Sequence, residues 1–112
     1  GNWDYGNAVH YAQIAIGRFA LLNGNVEAAS SALLAAGRTP GSPQLNSFGP
    51  DLILANGLLK HGERSVVLEY IELCSKFWKE SDGSGRPAKK LTYFKAEILS
   101  GKTPDLTAWV SL

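Results

Sequence analysis

Apolar positions along this chain recur at three- and four-residue steps, and the strict alternation that marks strands is almost absent. Val9, Ala12, Ile16, Phe19 and Ala20 fall on one face of a first helix, since residues at that spacing stack above one another on a helical surface. Asn23-Gly24-Asn25 stops that helix and caps the next. The second helix carries Val26, Ala29, Leu33 and Ala36 on one stripe and ends at Gly37. Its alanines have little side chain, so a neighbouring helix can approach closely. Residues 39–49 (TPGSPQLNSFG) form a long connection rich in turn residues.

Pro50 suits the first position of a third helix, where its missing N–H loses no bond. Leu52, Ala55, Leu58 and Leu59 give that helix its apolar side, and Lys60-His61-Gly62 ends it with potential cations at the negative helix end. A fourth helix over 63–79 has the clearest amphipathic stripe: Val67, Tyr70, Ile71, Cys74, Phe77 and Trp78. Residues 81–86 (SDGSGR) read as a flexible turn. A fifth helix over 87–100 turns Leu91, Phe94, Ile98 and Leu99 inward and closes at Gly101. Thr103-Pro104-Asp105 then caps a short last turn carrying Leu106, Trp109 and Val110. This apolar tail, Leu112 included, is expected to dock on the chain's own helices as a cap, in preference to docking on a second copy.

Gly24 and Gly62 both sit between paired helices, 38 residues apart. Aligning them matches Ile16 with Leu54, Gly17 with Ala55, Ala29 with Val67, Leu33 with Ile71 and Ala36 with Cys74. Every matched position is small or apolar, as two helical hairpins require where their helices meet. On Gly17, Gly24, Ala29, Leu33 and Ala36 the chain resembles the tetratricopeptide repeat, in which small residues of two helices pack below a glycine turn. The second hairpin departs from that pattern at Ala55 and Val67, and Gln13 and Ala20 stand where the family carries large rings. The likeness covers residues 7–79 and is to tetratricopeptide-like proteins of bacterial type. The expected fold is all-α: antiparallel hairpins stacked as a short tetratricopeptide-like right-handed array of about five helices. One domain spans 1–112, with hairpin 1 over about 7–37, hairpin 2 over about 50–79 and a C-terminal capping helix over about 87–112.

What the resemblance implies for function is a protein-interaction module whose concave surface takes a peptide or partner segment. The first helix of each hairpin lines that surface. Tyr11, Ile14, Ala15 and Arg18 are the implied partner-binding residues in hairpin 1, and Leu52, Ile53 and Asn56 in hairpin 2. Ile14 and Ala15 replace the lysine and asparagine with which some members clamp a terminal carboxylate, so a mostly hydrophobic segment is the expected ligand. The alternative is that these apolar residues are covered by the chain's own fifth helix or tail.

Composition narrows the classes further. Hydrophobic residues make up 45% of 112 and charged residues 19%, an ordinary globular balance, and the net charge of +1 offers no field for nucleic acid or an anionic membrane. Charge is uneven, with seven basic residues against three acidic ones over 76–102. A solvated surface is favoured over a patch, but weak nucleic-acid binding through Arg86, Lys89, Lys90 and Lys95 is the second reading. A non-catalytic domain of a larger enzyme is the third. Cys74 is the single cysteine, expected as a small buried hydrophobe. No apolar run reaches the roughly 20 residues of a bilayer span, and no secretory signal is present. Cytoplasm is favoured as the setting and a monomer as the state. The absence of methionine, the initiator included, reads as a processed or excised piece.

No catalytic or cofactor constellation stands out. His10 and His61 lack a metal spacing. His10 shares a face with Gln13 and Gly17, which makes a polar groove conceivable and a surface or partly buried histidine the favoured reading. Glu69 and Glu72 lie opposite the apolar stripe, where solvation is expected. Ser42 sits in a turn, and SDGSGR lacks the lysine and hydroxyl of a phosphate loop. No enzyme activity, cofactor or metal is expected. The connection over 40–50 is expected to be ordered, with Leu45 and Phe48 tucked in. Gln44 and Asn46 satisfy backbone groups or, with Ser42, present a binding surface.

Overall fold

The computed structural model describes residues 2–38, 52–81 and 86–107, with side chains over 8–38, 52–75 and 90–107. Five helices and no strand occur among these residues: α1 (Asn2–Leu22), α2 (Val26–Arg38), α3 (Ile53–Lys60), α4 (Arg64–Ser81) and α5 (Arg86–Leu99). The turns between paired helices are where the sequence places them. Gly24 and Gly62 take φ of 77° and 86°, a left-handed conformation that costs glycine nothing. At both, the glycine N–H donates three residues back (Gly24 to Leu21 O, Gly62 to Leu59 O, each 3.0 Å), and the next N–H reaches five back. That pair of bonds satisfies carbonyls the helix end leaves open. Asn25 then accepts from the Ala28 N–H at 3.0 Å and caps α2. The same closure recurs after α5, where Gly101 N–H donates to Ile98 O.

The α1–α2 and α3–α4 hairpins stack through α2, which touches α1, α3 and α4; α3 also rests on α1, and α5 lies along α4. Of the aligned pairs, Ala29 and Val67, Leu33 and Ile71, and Ala36 and Cys74 are all fully buried. Gly17 and Ala55 are buried as well. A Cβ on Gly17 would run into Leu54 Cδ2 and lie 3.1 Å from Ala32 Cβ. The missing side chain is what lets hairpin 2 seat on hairpin 1. Ile16 and Leu54 break the symmetry: Leu54 is 1% exposed and Ile16 is 55% exposed. Leu54 meets the hairpin before it, whereas Ile16 looks outward from the first hairpin of the stack.

Three expectations are corrected. The face of α1 that packs inward is His10, Ile14, Gly17 and Leu21, while Ala12, Ile16 and Phe19 of the expected inner stripe are exposed. Both stripes have helical spacing, and the close seat at Gly17 selects the first. The third helix begins at Ile53, with Leu52 as its N-cap and no side-chain cap bond; Pro50 lies outside the described residues. Leu99, expected to face inward, is 64% exposed, because Leu91, Phe94 and Ile98 already fill the stripe of α5 that meets α4. The connection over 40–50, the side chains of Phe77 and Trp78, and Trp109, Val110 and Leu112 lie outside the described residues.

The tail after α5 is held at two points. The Arg64 guanidinium donates to Ile98 O, to Lys102 O at 2.7 Å and to Thr103 Oγ1 at 3.3 Å, tying the last turn of α5 to the start of the tail. Beyond it, Leu106 is fully buried and its N–H donates to Asn56 Oδ1 at 2.9 Å. The 102–107 segment therefore lies on hairpin 2.

Candidate functional site

The residues implied as partner-binding divide sharply. Tyr11 and Arg18 are exposed on α1, as is Ala15. Ile14 at 3% exposed, Leu52 at 6% and Asn56 at 8% are buried. Ile14 belongs to the inner stripe of α1, Leu52 packs in the core, and the Asn56 amide is occupied by the tail's backbone. Ile53 is half exposed. No single groove across both hairpins is lined by this set; on hairpin 2 the chain's own tail occupies the place given to a ligand.

What hairpin 1 offers is a different surface. Alanine, tyrosine, isoleucine, phenylalanine and leucine side chains make up most of the solvent side of α1 from Ala8 to Leu22, with Phe19 70% and Leu22 87% exposed. A helix that is apolar on all sides ordinarily lies inside a protein; over 8–22, α1 is apolar apart from His10, Gln13 and Arg18 and still has one side in water. Arg18 marks one edge of the face. The other edge drops into a shallow open groove between α1 and α2, about 540 Å³ in volume, lined by Gln13, Ile16, Asn25, Glu27, Ser31 and neighbouring alanines. The sequence carries the signal for this surface in the second apolar stripe over 8–22, where only His10, Gln13 and Arg18 are strongly polar.

His10 is 1% exposed and does not form a polar groove with Gln13 and Gly17. Its Nδ1 lies 2.9 Å from Ala36 O, a carbonyl in the last turn of α2 that has no intrahelical donor to receive. A carbonyl only accepts, so Nδ1 carries the proton. Nε2 is buried and has no hydrogen-bond partner among the described residues, and the ring stands edge-on to Tyr11 at 5.3 Å between centroids. The role of His10 in the hairpin is that of a C-terminal cap for α2. His10→Leu should therefore lower stability by about 1–2 kcal/mol, since it orphans a buried acceptor. A thermal or urea melt unchanged within error would remove this assignment.

Burial pushes the Cys74 thiol up to about 12, with a hydrogen bond to Tyr70 pulling weakly the other way. It stays protonated at neutral pH and is a poor nucleophile. Among the described residues no group of three His, Cys, Asp or Glu side chains could hold a metal ion, and no helix is long and apolar enough to cross a membrane. Of the C-terminal cations, Lys95 pairs with Glu72, Lys102 pairs with Glu97 at 3.2 Å and Lys90 lies over the Phe94 ring at 5.9 Å. The side chains of Arg86 and Lys89 lie outside the described residues. Glu72 is thus an ion-pair partner of α5 as well as a solvated residue, whereas Glu69 is exposed.

No protein-family profile, curated protein or solved structure matches the chain.

Proposed function

We propose that this chain is a non-catalytic protein-interaction module of the tetratricopeptide-like kind, and that it receives a protein partner on the outer face of α1. One observation carries the reading: the 8–22 stretch of α1 presents Ile16, Phe19 and Leu22 to solvent at 55%, 70% and 87% exposure. Contiguous apolar patches of this kind on a folded domain mark contact sites. Support for the repeat likeness comes from the two glycine turns and from the equal burial of the small residues below them. Tyr11, Ala15 and Arg18 keep their implied roles as contacts; Ile14, Leu52 and Asn56 serve the module's own core.

Phe19→Asp combined with Leu22→Ser tests it. Both sites lie outside the core, so helix content and melting should stay within the small range of surface substitutions. Recovery of proteins captured by the tagged native chain should be lost. If the double variant captures the same proteins in the same yield, the α1 face is not the contact. Turnover of a small molecule by the native chain, with nothing captured, would favour an enzyme instead.

A further inference from the structure

The exposed face of α1 is not uniform along its length. Its N-terminal half presents Ala8, Ala12 and Ala15 with one large ring, Tyr11, and its C-terminal half presents Ile16, Arg18, Phe19 and Leu22. Ala8, Ala15 and Leu22 stand seven residues apart and so follow one line along the helix. We infer that a second copy of this chain occupies the face, with the two α1 helices antiparallel about a two-fold axis beside Ala15. The inference rests on the reading that this face takes a protein partner, and it names that partner.

The geometry follows from symmetry. An isologous contact repeats every pairing twice, so in the antiparallel register Leu22 of each copy lies over Ala8 of the other. Phe19 then comes beside Tyr11, and Ala15 meets Ala15 at the axis, where two methyl groups permit close approach. Leu22 thus meets the small Ala8, while the Phe19 and Tyr11 rings stand side by side. A parallel pairing would set Leu22 on Leu22 and Ala8 on Ala8, crowded at one end and open at the other. Charge does not oppose the contact, because Arg18 is the one residue of permanent charge in 8–22 and sits at the edge of the face.

Area sets the expected strength. Exposure of 47% at Tyr11, 55% at Ile16, 70% at Phe19 and 87% at Leu22 is equivalent to between two and three fully exposed large side chains, on the order of 400–600 Å² per copy. A standard stable interface uses about 800 Å² per partner. The large side chains of the α1 face supply about half to three-quarters of that before its alanines and the rim of the α1–α2 groove are added. A reversible dimer of micromolar strength is the expected product, not an obligate one.

Sedimentation equilibrium across about 1 μM to 1 mM, bracketing that strength, should show the mass rising from 12.0 kDa toward twice that value. Ala15→Cys should form an inter-chain disulfide under mild oxidation, since the symmetry axis brings the two α-carbons within the roughly 7 Å that the bond requires. Ser65→Cys, exposed on α4, should not, and the buried Cys74 contributes no background. Ala15→Glu places two carboxylates at the axis and should weaken the dimer at least tenfold with helix content unchanged. A mass of 12.0 kDa at every concentration, or equal oxidation of the Ala15→Cys and Ser65→Cys chains, overturns self-pairing. A monomer that still loses captured proteins on Phe19→Asp, Leu22→Ser removes self-pairing and leaves the interaction reading standing. A double variant indistinguishable from native in both assays removes both.

Discussion

Phe94→Ala is expected to destabilise the chain by about 3–5 kcal/mol, the range for truncating a buried aromatic ring. Phe94 is 1% exposed and stands between Leu91 and Ile98 on the stripe of α5 that meets α4. Deleting the ring removes apolar area and leaves a cavity whose walls belong to two helices. Those helices can close it only by shifting together. The loss is large against the roughly 5–15 kcal/mol that holds a domain of this size together. Leu99→Ala is the control on the same helix: with its side chain 64% exposed, it should change stability by no more than about 0.5 kcal/mol. Urea denaturation followed by circular dichroism measures both. Equal losses for the two variants would mean that α5 does not dock by the Leu91–Phe94–Ile98 stripe.

Arg64→Met should cost about 2–3 kcal/mol, because hydrogen bonds from a charged donor are worth more than neutral ones and here several are lost together. Methionine retains much of the packing of the arginine stem, so the change isolates the guanidinium. Its acceptors, Ile98 O, Lys102 O and Thr103 Oγ1, span the end of α5 and the start of the tail. The damage should therefore be local: amide exchange over 98–106 should accelerate while α2 keeps its protection. Arg64→Lys should recover less than half of the loss, since one ammonium group cannot reach three separated acceptors as a planar fork does. Uniform acceleration across all helices would show that Arg64 acts on global packing, and the clamp would be lost as an explanation.

Much of this molecule was legible along the chain. The glycine turns, the Asn25 cap, the stripe of α2 and the Val67–Tyr70–Ile71–Cys74 stripe of α4 are local features, decided by backbone preference and by period. They stand in the structure as read. The Gly24–Gly62 alignment also anticipated which small residues would be buried together. The candidate site was less legible. Tyr11, Ala15 and Arg18 are on the surface, whereas Ile14 and Leu52 pack in the core and Asn56 on α3 holds the tail's backbone. An asparagine that holds a partner's backbone and one that holds its own chain's backbone look alike in a sequence.

By itself, the sequence determined that the chain is helical, where its hairpins turn and which side of α2 and of α4 faces inward. Those elements have one apolar stripe each, so period alone leaves no choice. Only the tertiary structure decided which side of α1 is core. That helix carries two apolar stripes, and helical spacing is satisfied by either. The decision is made across the chain, by Leu54 seating at Gly17 and by Ala36 O accepting from His10. Both contacts join residues far apart in sequence, and once they form, Ile16, Phe19 and Leu22 are turned to the outside.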